Sequence, residues 1–173
     1  VKALPIYSIV AYSGTGKTTL LEQLIPEMKR RGFRICVLKH DAHEFEIDYP
    51  GKDSWRITRA GADITIISSA AKAVVMENRP VSTSDLLAMI KDVDIIITEG
   101  YTHGDWKKIG LLRASSGKPL AVPPETCCAI VTDVRLDTCT PCFSFGDICG
   151  LADFLEADVY AMDIEEEHRC ERT

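Results

Sequence analysis

The 173-residue chain predicts an α/β fold, three layers built on a mostly parallel central sheet with a β-hairpin extension. Three stretches predict it. The β-branched run Ile6–Val10 stops at a small-residue loop, Ala11-Tyr-Ser-Gly-Thr-Gly-Lys-Thr-Thr19, and a leucine-rich helical pattern follows. Strand, glycine loop and helix in that order are the context a phosphate-binding P-loop requires. Val93–Thr98 is nearly continuous and apolar, as in a strand buried on both faces, and it runs into Glu99-Gly100. Ile64–Ile67 and Ala73–Met76 flank the small segment Ser68-Ser69-Ala70-Ala71 and read as a hairpin. No repeat or linker interrupts residues 1–173, which points to a single nucleotide-binding domain of the P-loop NTPase type.

The loop residues suit an anion. Gly14 and Gly16 allow successive N–H groups to turn inward, and the helix that starts near Lys17 adds its positive end. Lys17 can reach the β- and γ-phosphates, and the Thr18 hydroxyl can ligate Mg²⁺. The phosphate-binding residues are therefore read as Ser13, Gly14, Thr15, Gly16, Lys17, Thr18 and Thr19. Ala11 stands where the general motif begins with glycine. An acid at the tip of a buried strand is the form of a Walker B carboxylate, so Glu99 joins Thr18 as a candidate metal ligand. Alone, Glu99 would read as an ordinary solvent-facing strand end.

The first helix is predicted from Lys17 to about Arg31, with Leu20, Leu21, Leu24, Ile25 and Met28 inward and a kink or break at Pro26. Lys29, Arg30 and Arg31 suit its C-terminal turn, and Gly32 ends it. Phe33–Leu38 is the second strand. The long polar loop after it carries His40, Asp41, His43, Asp48 and Asp53. Such a loop faces ligand in an open parallel sheet, which makes the three aspartates candidates for Mg²⁺ or water positioning and Asp48 a candidate catalytic residue. Asp53 or Ser54 equally reads as a helix N-cap, and His40 and His43 as ordinary loop residues. Short helices are predicted over 54–60 and from Ser82 onward. Ile109–Arg113 and Cys127–Val131 are further strands, with Lys107, Lys108 and Arg113 placing positive charge near the same end of the sheet or lining a solvated edge. Asp133 follows the last of these strands. The Asn-Lys-x-Asp signature of guanine recognition is absent there, but Asp133 could accept from guanine N1 and N2. Phe143–Phe145 reads as a short strand and Asp147–Leu155 as a helix capped by Asp147, before an acidic tail.

Composition narrows the function. A net charge of −6 argues against a nucleic-acid surface, and no apolar run approaches the roughly 20 residues of a membrane span. No leader is visible before the first strand, which predicts a cytoplasmic protein with reduced thiols. Seven cysteines include Cys139-x-x-Cys142, which lacks a second pair at zinc-ribbon spacing and reads as structural rather than as a metal site.

The loop Ala11–Leu20 resembles that of the MobB family of molybdopterin-guanine dinucleotide biosynthesis adapter proteins. So do Lys39-His40, Asp48-Tyr-Pro-Gly-Lys-Asp-Ser54, Ala60-Gly-Ala62, Thr98-Glu-Gly-Tyr101 and Lys108-Ile-Gly-Leu-Leu-Arg113. These segments span most of the chain in the family's order, but the cysteine-rich stretch from Cys127 to Cys149 is outside them. The resemblance implies a GTP- and Mg²⁺-binding adapter with weak GTPase activity. It implies a MobA-type guanylyltransferase as partner, molybdopterin as a further candidate, and a homodimer joined through β elements. On that analogy Gly14, Gly16, Lys17, Thr18 and Glu99 carry nucleotide and metal, with Asp48 beside them. Two other classes compete. A small-molecule kinase would need a water-excluding lid, and no arginine-rich insertion is visible. A metallochaperone GTPase would use the histidines and cysteines.

Overall fold

The structure is a computed structural model. It describes residues 4–40 and 45–170, without the side chains of residues 163–170. Asp41 and His43 lie outside the described residues. The chain divides into two compact units, residues 1–40 with 92–173, and residues 41–91.

The first unit is built on strands β1 (Ile6–Val10) and β2 (Ile35–Lys39), with helix α1 (Lys17–Arg30) between them. The second unit holds α2 (Asp53–Arg59), β3 (Ile64–Ser68), β4 (Ala73–Glu77) and α3 (Thr83–Met89). The chain then returns to the first unit with β5 (Ile95–Glu99), β6 (Lys107–Leu112), β7 (Cys127–Thr132), β8 (Cys142–Phe143) and α4 (Ile148–Cys170).

The six strands of the first unit lie in the order β2-β5-β1-β6-β7-β8 and every neighbouring pair is parallel. A parallel sheet is apolar on both faces, which is why these strands read as continuous hydrophobic runs. One face carries Tyr7, Ile9, Ile95, Ile97, Ile109, Leu111, Ala129 and Val131. These pack with Leu20, Leu24 and Met28 of α1 and Leu151, Leu155 and Val159 of α4. The other face is buried too: Ser8 and Thr98 join hydroxyls at 2.8 Å across β1 and β5. There Leu120 presses on β6, its Cδ1 3.0 Å from where a Cβ on Gly110 would stand. A glycine at 110 is what lets that connection lie on the sheet.

Helix α1 is continuous through Pro26, so of the kink or break expected there the break does not occur. Pro26 and Glu22 are both exposed. The Glu22 carbonyl that loses its helical donor therefore faces water, which satisfies it at little cost. Gly32, at φ 94°, ends the helix with Phe33 N–H donating to Met28 O at 3.1 Å. Arg31 is more than a helix-end cation: it binds Glu27 at 2.8 Å and, from α4, Asp153 at 2.6 Å and Glu156 at 2.7 Å. At the far end of the sheet Asp158 of α4 accepts from Tyr7 Oη at 2.5 Å and Lys107 Nζ at 2.7 Å. Asp147 caps α4 as expected, accepting from Gly150 N–H at 3.0 Å, but the helix backbone runs on to Cys170 rather than stopping near Leu155.

In the second unit the expected hairpin forms, antiparallel, with Ile66 opposite Val75 and Ser69 N–H closing the turn on Lys72 O at 2.8 Å. Lys52, not Asp53 or Ser54, precedes α2, and no side chain caps that helix; Asp53 is its first residue, where an acid suits the dipole. Ser82 caps α3 by accepting from Asp85 N–H at 3.1 Å. Neither short helix buries a residue.

Candidate functional site

The centre of the sheet is where the chain changes direction. From β1 it winds to β2 and β5 on one side, then crosses to β6, β7 and β8 on the other. A crevice beyond the carboxyl end of β1 follows from that topology, and it is where open α/β sheets bind ligands. The loop Ala11–Gly16 fills this position.

The loop has the conformation its residues predict. Gly14 and Gly16 take φ of 81° and 105°, values that side chains disfavour. Thr15 is buried, its Oγ1 donating to Tyr12 O at 3.0 Å, which braces the turn. Gly16 begins α1 without a side-chain cap, and the first turn contains no acid. That positive helix end is therefore left for an anion from outside. Lys17 folds over the loop, Nζ donating to Ala11 O at 3.0 Å and Tyr12 O at 3.2 Å. Thr18 and Thr19 are exposed on the first turn.

Glu99 ends β5, the strand next to β1, in register with Ile9. Its backbone is fixed from the other side, where His40 N–H donates to Glu99 O at 2.8 Å. Gly100 follows at φ 91°, and a Cβ there would lie 2.6 Å from His40 O. The acid-glycine pair is thus one device: the glycine lets β2 and β5 approach while the carboxylate stays at the strand tip. His40 and Tyr101 rings meet at 5.4 Å, and Tyr101 and Trp106 at 5.5 Å.

On the β6 side the three basic residues separate. Lys107 is spent on Asp158, and Lys108 donates to Gly104 O at 2.8 Å, so neither supplies the charge expected at the loop. Arg113 does, with its guanidinium beside Gly16. Lys118, which the sequence did not single out, donates to Ser13 O at 2.8 Å. The Gly117-Lys118-Pro119 turn signals a reversal, but nothing in it says where the amine points. Asp133 uses Oδ1 to accept from Ala114 N–H at 2.7 Å.

Asp48 belongs to the second unit. Its Oδ1 accepts from Tyr49 N–H at 2.8 Å, while Oδ2 is buried without a partner. It lines a cleft of about 290 Å³ with Ile47, Ile67, Lys72, Val74 and Met76. Among the described residues no three His, Cys, Asp or Glu side chains cluster as metal ligands, and the six cysteines whose side chains are described are free. No helix among them is long and apolar enough to cross a membrane.

A parallel sheet whose central strand feeds a glycine loop, a lysine and an uncapped helix defines a protein of the P-loop NTPase class. Residues 6–133 match the family model for MobB, molybdopterin guanine dinucleotide synthesis protein B. The molybdopterin-guanine dinucleotide biosynthesis adapter protein of Haemophilus influenzae is 37% identical over 157 residues, 88% of each chain. Its Escherichia coli counterpart is 36% identical over 161 residues, 88% of this chain and 91% of that one. A crystal structure of molybdopterin-guanine biosynthesis protein B superimposes with a TM-score of 0.67 at 27% identity, covering 90% of this chain and 99% of the other. Bacillus subtilis MobB, at 23% identity, shares the fold with a TM-score of 0.73 over 89% of this chain and 97% of its own. The chain belongs to the MobB family.

Proposed function

We propose that this protein is a cytoplasmic GTP-binding adapter with weak GTPase activity. In this reading it assists a MobA-type guanylyltransferase that converts molybdopterin to its guanine dinucleotide. The observation that carries the reading is the uncapped, acid-free start of α1 under Gly14, Gly16 and Lys17. It is a site for phosphate, on a chain whose relatives are named for guanine dinucleotide synthesis. Lys17 exchanges the carbonyls of Ala11 and Tyr12 for phosphate oxygens, and the N–H groups from Gly14 to Thr19 take the rest. The Thr18 hydroxyl and the Glu99 carboxylate are hard oxygen donors of the kind Mg²⁺ takes, and they would hold it. When bound, the ion neutralises charge between the β- and γ-phosphates. Asp133, with Oδ1 committed to Ala114, offers its other oxygen to the guanine N1 and N2 donors.

Calorimetric titration with GTP and ATP, each with Mg²⁺, tests this on wild type and Lys17→Ala. The expected result is GTP binding, little ATP binding, and a loss of about tenfold or more on removing Lys17, as for a charge-assisted contact. A preference for ATP would move the weight to a kinase. Capture of the MobA-type enzyme by the GTP-loaded protein is the next step.

A further inference from the structure

Arg113 stands just past the end of β6 with no anion to pair with among the described residues. Its Cζ lies 3.8 Å from the centre of the Phe145 ring. Its Nη2, Cζ and Nε lie 3.5, 3.6 and 3.9 Å from where a Cβ on Gly16 would be, so the guanidinium rests against the last glycine of the loop. Nε is buried without a hydrogen bond, and the guanidinium has no ion pair among the described residues. Two other cations of the unit are neutralised, Arg31 by three carboxylates and Lys107 by Asp158, while Lys17 and Lys118 donate only to carbonyls of the phosphate loop. A half-buried guanidinium without an ion pair among the described residues, in a chain of net charge −6, needs an explanation.

Its backbone is fixed with unusual thoroughness. The Arg113 carbonyl accepts from Ser116 N–H at 3.0 Å and Ser116 Oγ at 2.7 Å. The next N–H, that of Ala114, is held by Asp133 at 2.7 Å. Lys118 N–H closes the turn on Ser116 Oγ at 3.2 Å. This clip brings two cations to the phosphate loop, Arg113 at Gly16 and Lys118 at Ser13. Phe145 attracts the guanidinium through its ring face without neutralising it. The planar fork therefore remains charged and oriented, which is the state that matches phosphate oxygens two at a time.

We propose that Arg113 is a nucleotide-phosphate ligand supplied in cis, poised on Phe145 and held in position by the Asp133-anchored turn. The proposal rests on the nucleotide-binding reading above. With Lys17, Arg113 gives the phosphate loop a second cation for the same anion.

The test is calorimetric titration of wild type, Arg113→Ala and Arg113→Lys with Mg²⁺-GTP and, separately, with inorganic tripolyphosphate, at two salt concentrations. Arg113→Ala is expected to weaken both ligands by about tenfold to a hundredfold and to flatten the salt dependence. Arg113→Lys, which keeps the stem and charge but not the fork, is expected to recover part of the loss. It decides the matter where the alanine variant fails to fold. Unchanged affinity in the variants would overturn the proposal. So would a loss with wild-type salt dependence, because that is what a merely structural role predicts. Wild-type protein that binds neither ligand would sink the nucleotide reading itself, and the assignment of Arg113 with it.

Discussion

Burial sorts the five cysteines from Cys127 to Cys149 into two kinds. Cys127 is buried and Cys128 half-buried on β7, and burial pushes the Cys128 thiol up to about 11 and the Cys127 thiol upward as well. Cys139, Cys142 and Cys149 are exposed. Because thiolate is the reacting form, brief treatment of the native protein with iodoacetamide near neutral pH should label the exposed three. Cys127 and Cys128 should be modified only after denaturation. Labelling of Cys128 at the rate of Cys139 would show that β7 opens readily. The β7 thiols sit in a β-branched run, where cysteine acts as a small hydrophobe. The sequence made the P-loop legible because glycine, lysine and threonine there answer to local backbone geometry. Arg113 and Lys118 were not legible in the same way. Their positions depend on a turn anchored by Asp133, far along the chain, and no local pattern encodes that partnership.

At the level of elements, the α1–α4 junction depends on a carboxylate as much as on leucines. Hydrogen bonds from Arg30 and Arg31 hold the Glu27 carboxyl down at about 2. A group whose folded pKa lies below its unfolded value, near 4.3 for glutamate, stabilises fully above that value. The contribution is lost as pH falls towards 2. Glu27→Gln should therefore lower the melting temperature at pH 7, and the gap from wild type should close as the pH approaches 2. A gap constant with pH would assign the effect to packing instead. Helix α4 also shows where periodicity fails as a guide. Leu151, Leu155 and Val159 continue one buried stripe at intervals of one helical turn, but the acids around them dilute the pattern, so the sequence suggested an end near Leu155. Of the kink or break expected at Pro26, the break is absent because the helix presents Pro26 and Glu22 to water.

For the molecule as a whole, the hairpin of the second unit carries exposed apolar residues, including Ile66 at 65% and Val75 at 58%. Paired in register across β3 and β4, they form a patch of the kind that marks an association surface. The homodimer that the family resemblance implies would use it. Ile66→Lys is expected to convert a dimer into a monomer in sedimentation equilibrium while leaving the Lys17-dependent nucleotide affinity intact. A variant that stays dimeric would place the interface elsewhere. The sheet order has a separate consequence, for how the protein comes into being. Strand β1 precedes every other strand of its sheet in the chain, yet its two neighbours are β5 and β6, and Ser8 meets Thr98 across a gap of 90 residues. Closing a loop of that length must come before the contacts that reward it, so the central strand waits on the distal half of the chain. The glycine loop is complete as sequence before β2 to β8 have emerged, but the frame that shapes it is not. A nascent or truncated chain ending before β6 would carry the whole motif and no anion site, making nucleotide capture one of the last events of folding rather than a seed for it.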